Sequence, residues 1–435
     1  MYNINVLLKK REVENKPINV AIIGAGWYGR GLIQELCHWP GMTPKVVISK
    51  NIKNIALAFN AGGVDKSALT VVKSAKDLAQ AFKKSQYIAT DNYDLVNDLQ
   101  GIDVIFEATG DILVSAKIAL SALNQGIHFV TVNSEMDSTL GYQINKLFQE
   151  KNLIFSNSDG DQPGVIYRML EKITSMGFEI VVAGSCKGFI DPHKNPQDIA
   201  PWVRQGHNPK MITSFTDGTK QSMELAVVSN AAGLFPDKRG MHGPRVTKPT
   251  LTEIFSKLIK NPGAVDYVLG IDGVDQGAGV FVVCKREGEI IAEDLQYLKK
   301  GDGPYYLFFR DDHLCYLEAP ISIAEAGQFN LASMAPIEFN SDVITCAKRD
   351  LKKGEKIDGI GGYMAYGVID RADVSRRENL LPMGLSEFAV LKQDVDQDTP
   401  ITYDMVDFCE DNIALQLRKK MEDEYQRKEP LTTER

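Results

Sequence analysis

Residues 18–30 read Ile18-Asn-Val-Ala-Ile-Ile-Gly24-Ala-Gly26-Trp-Tyr-Gly29-Arg30, an apolar run that leads directly into a turn with three glycines. Gly24 allows a tight turn after the strand, Gly26 lets the backbone approach a pyrophosphate, and Gly29 permits close packing of a helix on the strand. Amides at the start of that helix face the phosphates. The stretch therefore predicts a dinucleotide-binding turn; the alternative is a structural tight turn that uses the same glycines.

Short β-branched runs alternate with helical patterns from residue 18 to about residue 158. This alternation is typical of parallel strands joined by crossover helices. The predicted strands are residues 20–23, 45–49, 86–89, 103–108, 128–132 and 153–156, and the clearest helices are residues 112–123 and 140–150. We predict an α/β fold with a Rossmann-type doubly wound parallel sheet, in which ligands bind beyond the carboxyl ends of the strands.

Small or polar residues follow three of these strands, at Glu107-Ala-Thr-Gly110, Val132-Asn133-Ser134-Glu135 and residues 157–164. These strand ends and the glycine turn supply the expected contacts to a dinucleotide. The predicted cofactor-binding residues are Gly24, Gly26, Trp27, Tyr28, Gly29, Ser49, Lys50, Thr109, Gly110 and Asn133.

The second strand ends in Ser49-Lys50-Asn51-Ile52-Lys53, without the acidic residue that usually binds the ribose hydroxyls. A serine with nearby lysines suits a 2′-phosphate better than a pair of hydroxyls. We therefore favour NADP(H) over NAD(H). The alternative is that Lys50 and Lys53 are solvated surface charges.

The pattern changes after Gly164, where a helix at 165–176 and a strand at 179–184 precede a loop-rich region. A capping box at Thr250 and Glu253 predicts the start of a helix, and residues 266–271 and 279–286 are predicted as paired strands around a Gly-rich link, 273–277. The mixed order predicts an α+β substrate domain. We divide the chain into a cofactor domain at 1–160, a substrate and catalytic domain at 161–340, and a β-rich C-terminal domain with a charged tail at 341–435.

Two lysines are the leading candidates for catalysis. Lys187 follows an apolar strand, and Lys220 shares a predicted helix face with Glu224, one turn after Asp217. A lysine with nearby carboxylates can polarise a carbonyl and move its proton during hydride transfer. The alternatives are a snorkelling surface lysine for Lys187 and an exposed ion pair for Lys220 and Glu224.

Polar residues elsewhere suit the substrate. Asp159, a further catalytic candidate, and Asp161 lie in a glycine-flanked turn where they can order hydroxyls or a cation, although such aspartates often only form turns. Arg239, His242 and Arg245 gather positive charge in a loop with Gly and Pro. These three residues predict a site for a phosphate or carboxylate; a plain basic surface loop is the alternative.

Composition excludes several classes of protein. The net charge of −8 and the lack of a basic stripe argue against nucleic-acid binding, and no apolar stretch is long enough to span a membrane. Six separated cysteines predict reduced thiols in the cytoplasm. His193, His207 and His313 lack metal-ligand spacing, so we assign no metal site, while a need for a divalent metal stays open. The expected partners are a small-molecule substrate and further copies of the chain.

The order of these pieces resembles the homoserine dehydrogenase-like NAD(P)-dependent oxidoreductases, from about residue 18 to residue 410. The resemblance rests on the glycine turn, Glu107-Ala-Thr-Gly110, Val130-Thr-Val-Asn-Ser-Glu135 and Ser158-Asp-Gly-Asp-Gln-Pro-Gly164. Within that group the chain looks most like the SAF-domain oxidoreductases related to deoxyxylulose phosphate reductoisomerase-like protein. Ala347-Lys-Arg-Asp-Leu-x-x-Gly354 and Met383-Gly384 resemble an SAF domain, which implies that the C-terminal domain is SAF-like.

The resemblance implies a phosphorylated or polyhydroxylated carbonyl substrate, with the conversion of deoxyxylulose phosphate to methylerythritol phosphate in isoprenoid biosynthesis as the named possibility. Homoserine dehydrogenases carry Thr-Ala-Asn-Lys where this chain has Thr131-Val-Asn-Ser-Glu135, which argues against homoserine as substrate. The metal-binding carboxylates of ordinary reductoisomerases are not evident. Two alternatives stay open: a related enzyme with another alcohol or aldehyde substrate, and a non-catalytic dinucleotide-binding sugar sensor.

Overall fold

The computed structural model describes residues 3–84, 87–203, 208–270 and 279–428. A sheet of seven parallel strands dominates the N-terminal part, in the order β3-β4-β2-β1-β5-β6-β7. These strands are β1 (Ile18–Ile23), β2 (Met42–Ile48), β3 (Leu69–Val71), β4 (Tyr87–Thr90), β5 (Val104–Glu107), β6 (His128–Thr131) and β7 (Phe155–Asn157). The predicted α/β class with a Rossmann-type parallel sheet is confirmed.

Helices connect and cover these strands. They are α1 (Ile4–Val13), α2 (Trp27–Leu36), α3 (Ile52–Ala61), α4 (Ala75–Lys83), α5 (Ile112–Gln125), α6 (Ser134–Met136) and α7 (Tyr142–Glu150). On β1, Val20 and Ile22 belong to one buried cluster while Ala21 and Ile23 belong to another. Both faces of the strand are therefore covered, as expected for a parallel sheet.

A second, mixed sheet has five strands in the order β12-β11-β8-β10-β9. Its strands are β8 (Glu179–Lys187), β9 (Phe235–Pro236), β10 (Ala264–Leu269), β11 (Val280–Lys285) and β12 (Tyr305–Arg310). The predicted pairing of the strands at 266–271 and 279–286 is wrong, because β8 lies between β10 and β11 and bonds to both. The predicted Gly-rich link, 273–277, lies outside the described residues.

Helices of this middle part are α8 (Gln162–Ser175), α9 (Pro196–Ile199), α10 (Pro209–Thr216), α11 (Thr219–Ala232), α12 (Leu251–Leu258), α13 (Glu289–Tyr297) and α14 (Ala319–Ala324). The predicted capping box at the start of α12 is not formed. Thr250 makes no side-chain capping bond there and instead bonds back to Thr247, which caps the preceding short turn. α14 returns to the first sheet, where Ala319 and Ile323 share a buried cluster with Leu32 of α2.

The C-terminal part forms two antiparallel strand pairs, β13 with β14 and β15 with β16. Its elements are β13 (Ser341–Ala347), β14 (Ala365–Arg371), α15 (Ala372–Arg377), β15 (Ala389–Leu391), β16 (Val406–Phe408) and α16 (Ile413–Lys428). Arg418 on α16 is buried and pairs with Asp342 on β13, and it also donates to the carbonyl oxygen of Thr139. These bonds tie α16 both to β13 and to the segment between α6 and α7. None of the described helices has the length and apolar character needed to cross a bilayer.

Candidate active site

The glycine turn joins β1 to α2, and its three glycines meet different constraints. Gly24 has φ +102°, and a Cβ there would lie 2.5 Å from the carbonyl oxygen of Ala108. A Cβ at Gly29 would lie 2.0 Å from the carbonyl oxygen of Gly24. Among the described residues, by contrast, no atom comes within 4 Å of a Cβ built at Gly26. The protein itself therefore requires Gly24 and Gly29, whereas only a bound group would require Gly26.

A cleft opens beside this turn and brings together most of the predicted cofactor residues. Its lining includes Gly24, Gly26, Ser49, Lys50, Thr109 and Gly110. The Ser49 hydroxyl accepts a hydrogen bond from the amide of Ala25 at 3.1 Å, so the end of β2 supports the turn. Lys50 is exposed at the rim. Asp94, which follows β4, lies on the same rim and places an acid there that sequence reasoning missed, because it comes from a different strand.

A second cavity continues from the first at Gly110 and Asp111, which line both. Glu135 and Glu387 contribute acidic groups to its wall. Asn133 shapes this edge without lining it: its side-chain oxygen caps α6 through the amide of Met136 at 3.0 Å. The cleft beside the glycine turn therefore leads into a polar chamber at the carboxyl end of the sheet.

Lys220 on α11 is linked to the chamber through Glu135, which lines it: Nζ of Lys220 lies 3.0 and 2.9 Å from the two carboxylate oxygens of Glu135. Burial disfavours the charge on Lys220, but the carboxylates of Glu135, Glu224 and Asp161 outweigh it and raise the pKa of the lysine. Lys220 is therefore a fixed cation at neutral pH.

Lys187, the last residue of β8, lies close to Glu224, whose charge also acts on Lys220. Its Nζ donates to Oε1 of Gln162 at 2.8 Å and lies 3.5 Å from Oε2 of Glu224. The side chains of Lys187 and Glu224 are 11% and 5% exposed, which excludes the surface-lysine alternative. Lys220 and Glu224 share a helix face as predicted, but their partners come from β8 and from α6 rather than from solvent.

Asp217 forms an ion pair with Lys348 of the C-terminal part. Its carboxylate accepts from the amide of Thr219 at 2.9 Å and from Nζ of Lys348 at 2.8 Å, and both members of the ion pair are buried. Asp159 is likewise held, since its Oδ2 accepts from Nε of Arg168 at 3.0 Å. Both predicted catalytic carboxylates are engaged by cations in the described structure.

In the predicted anion-binding loop, Arg239 and His242 already contact carboxylates of the protein. Arg239 donates to Asp370 at 2.5 Å and to Glu378 at 2.6 Å, both from the C-terminal part. Nδ1 of His242 lies 2.8 Å from Oδ2 of Asp266 on β10. Arg245 is exposed.

Tyr28, at the start of α2, faces the turn that follows β7. Its hydroxyl lies 3.4 Å from Oγ of Ser158, and it is surrounded by rings of Trp27, Phe106 and Tyr316. Burial raises the pKa of Tyr28 well above its ordinary value, and the charge of Asp161 raises it further. The hydroxyl is therefore neutral and able to donate a hydrogen bond.

Asp161 lies close to His313 and Cys315, two residues that the sequence analysis did not connect with it. One carboxylate oxygen of Asp161, a ring nitrogen of His313 and Sγ of Cys315 lie within 4.8 Å of one another. The only local signal was the spacing His313-Leu-Cys315, since Asp161 is far away in sequence. Burial, with the charges of Asp161 and Glu224, raises the pKa of the Cys315 thiol to about 12.

Comparison with known proteins gives one family match. Residues 160–319, less than half of the chain, match the family described as "Oxidoreductase DRL, catalytic domain". No curated protein sequence matches the chain. The matched segment contains Lys187, Lys220 and Glu224, together with Asp161 and Cys315, so it supports an oxidoreductase class for the part of the chain that carries these residues.

Solved structures give only weak likenesses. The myo-inositol dehydrogenase of Lactobacillus casei in complex with NAD(H) and myo-inositol is 12% identical, with TM-score 0.39, over 67% of this chain and 74% of that chain. The myo-inositol 2-dehydrogenase of Lactobacillus plantarum is 15% identical, with TM-score 0.34, over 69% and 71%. This chain spans 66% of an oxidoreductase from Magnetospirillum magnetotacticum MS-1, at 14% identity and TM-score 0.33 over 62% of this chain. We draw no conclusion about function from likenesses at this level.

Proposed function

We propose that this protein is an NADP(H)-dependent oxidoreductase that acts on a small, polyhydroxylated or phosphorylated carbonyl substrate. One observation carries the proposal: the cleft beside Gly24 and Gly26 meets, at Gly110 and Asp111, a chamber that is lined by Glu135, and the carboxylate of Glu135 holds the buried Lys220. The family match over residues 160–319 supports the oxidoreductase class.

The turn residues fit a dinucleotide, since Gly26 leaves space that the described protein atoms do not fill. The nicotinamide ring supplies or accepts a hydride when the cofactor is bound. Lys220 remains charged because Glu135 holds its ammonium group at 2.9 and 3.0 Å. A fixed buried cation stabilises the negative charge that develops on a carbonyl oxygen during reduction. Lys187 is a second cation for the same purpose.

The preference for NADP(H) rests on Ser49 and Lys50 at the end of β2, with Lys50 exposed at the cleft rim. Asp94 on that rim opposes a 2′-phosphate, so the two charges compete. We propose that Lys50 prevails because it occupies the position that usually decides the choice. Binding of NADPH and NADH, followed by fluorescence, tests this preference directly.

The substrate assignment extends the resemblance to reductoisomerase-like oxidoreductases, with deoxyxylulose phosphate as the named candidate. Arg239 and His242 are engaged with carboxylates, which leaves Arg245 as the predicted contact for an anionic group. We also propose the division at residues 160 and 340, an SAF-like C-terminal domain and a homo-oligomer. Sedimentation of the purified full-length chain tests the oligomer.

Turnover on a panel of phosphorylated ketoses, aldehydes and polyols tests the activity. Lys220→Met and Lys187→Met should lose at least about a hundredfold in kcat, since each removes charge stabilisation, while NADPH affinity stays unchanged. Lys257→Met, an exposed lysine on α12, is the matched control. Full turnover in both the Lys220 and the Lys187 variant would refute the assignment. Cofactor binding without oxidation across the panel would favour the sugar sensor.

A further inference from the structure

Three metal-binding side chains lie together beside Tyr28, although they come from distant parts of the chain. Asp161 occupies the N-cap of α8, whereas His313 and Cys315 follow β12. Their ligand atoms lie within 4.8 Å of one another. Small side-chain rotations would bring all three atoms within bonding distance of one ion. All three are partly exposed, so an ion has a route to them.

The backbone holds the two halves of this cluster against each other. The amide of Cys315 donates to the carbonyl oxygen of Gly160 at 2.7 Å. Gly160 has φ +84°, and a Cβ there would lie 2.3 Å from the carbonyl oxygen of Cys315. Because these turns touch through their main chains, the adjacent Asp161 and the Cys315 thiol are fixed near each other.

The side chain of Asp161 does not cap α8, although Asp161 occupies the N-cap position of that helix. Aspartate is among the preferred N-cap residues because its carboxylate accepts from the first free amides of the helix. Asp161 has the extended backbone of an N-cap, yet its side chain makes no capping bond to α8. Its carboxylate instead lies with His313 and Cys315.

We propose that Asp161, His313 and Cys315 bind a thiophilic divalent ion of the zinc class, with one coordination position open. A thiolate and an imidazole select Zn²⁺ and similar ions over Mg²⁺ or Ca²⁺, which prefer all-oxygen sites. Three protein ligands with a free fourth position are typical of catalytic rather than structural zinc. Coordination removes the proton from the thiol.

The surroundings place this site near the charged side chains of Lys220 and Glu224. Asp161 acts electrostatically on both Tyr28 and Lys220, and Glu224 acts on Cys315. Glu224 is buried, and its Oε2 has no hydrogen-bond partner among the described residues. A role of the ion in polarising the substrate oxygen rests on the proposed function; binding of the ion does not.

Titration of chelator-treated, reduced full-length protein with CoCl₂ tests the site by absorption. We expect about one equivalent of Co²⁺ to bind, with the near-ultraviolet band of a thiolate ligand, and Zn²⁺ but not excess Mg²⁺ to displace it. Cys315→Ser should abolish the band. His313→Ala should keep it and weaken the affinity by more than about a hundredfold, beyond the loss typical of outer-shell changes.

Cys37→Ser is the matched control, because Cys37 is also a partly exposed free cysteine. It should keep both the band and the affinity. Absence of the band in the wild-type protein, or its persistence in Cys315→Ser, would overturn the proposal. Asp161→Asn, which retains the band but binds more weakly, guards against misfolding of the cysteine variant. NADPH binding in the same samples reports on the proposed function separately, because Gly24, Gly26 and Gly29 are not ligands of the proposed ion.

Discussion

Replacing Lys348 by methionine should destabilise the protein far more than the same change at Lys352. Each lysine lies 2.8 Å from an aspartate, Asp217 and Asp394 respectively. Lys348 and Asp217 are 2% and 0% exposed, whereas Lys352 and Asp394 are 71% and 57% exposed. The two pairs therefore differ in burial at equal distance, which makes Lys352→Met the matched control.

The magnitude follows from what the substitution leaves behind. Nζ of Lys348 donates to the carbonyl oxygens of Lys194 and Gly362 and to the carboxylate of Asp217. Methionine would leave a buried carboxylate uncompensated, which costs about 3–5 kcal/mol. Loss of the exposed pair at Lys352 costs about 0–1 kcal/mol.

Hydrogen exchange by mass spectrometry measures this difference locally, which suits a chain of several parts. Peptides that cover the start of α11 and residues 362–368 should exchange about two to four powers of ten faster in Lys348→Met, and no more than about fivefold faster in Lys352→Met. Equal exchange in the two variants would refute the reasoning. An Asp217→Asn variant that loses turnover and keeps its protection would return Asp217 to the catalytic residues.

Three further outcomes follow from single positions. Gly26→Ala should keep the thermal midpoint of unfolding and lose at least about tenfold in NADPH affinity. Gly29→Ala should lower the thermal midpoint, because only a Cβ at position 29 meets protein backbone. Equal midpoints in the two variants would contradict this reasoning. Lys50→Ala should weaken NADPH by about tenfold and leave NADH unchanged, as titration of both will show. Burial raises the pKa of Asp137 to about 7. The unfolded chain releases this proton near pH 4, so stability should fall by about 4 kcal/mol between about pH 4 and pH 7, and Asp137→Asn should flatten that decline in thermal unfolding.

The first sheet was predictable because its signals are local. Each long strand is an apolar run followed by a helix with its own periodicity, and the glycine turn is defined by residues within one short stretch. β3 was not predicted: its three residues are not buried, whereas the three residues of β7 all are, so β3 has the weaker pattern. β10 and β11 carry the local pattern of a hairpin, but pairing depends on which strand comes between them, and β8 precedes both by many residues.

The site shows the same division between local and distant signals. Lys187 and Lys220 were selected from their places on elements, which sequence reveals. Their partners were not, since Glu135 lies 85 positions from Lys220 and comes from another part of the fold. We expected Arg239 to bind an anionic group of the substrate, but Arg239 binds the carboxylate of Asp370 instead. Charge in a sequence identifies a residue that needs a partner, and only the fold decides which partner it obtains.

The surroundings of the two buried lysines Lys348 and Lys220 differ in how completely their polar atoms are hydrogen-bonded. The ammonium of Lys348 meets three acceptors, one for each of its protons. Around Glu135 and Lys220, three buried atoms have no hydrogen-bond partner among the described residues: Oγ of Ser134, Nε2 of Gln221 and Oε2 of Glu224. Folded proteins seldom leave buried polar groups unpaired, because each one costs about 1–3 kcal/mol. A polyhydroxylated ligand that reached these atoms would supply both donors and acceptors, so its binding would recover part of this cost.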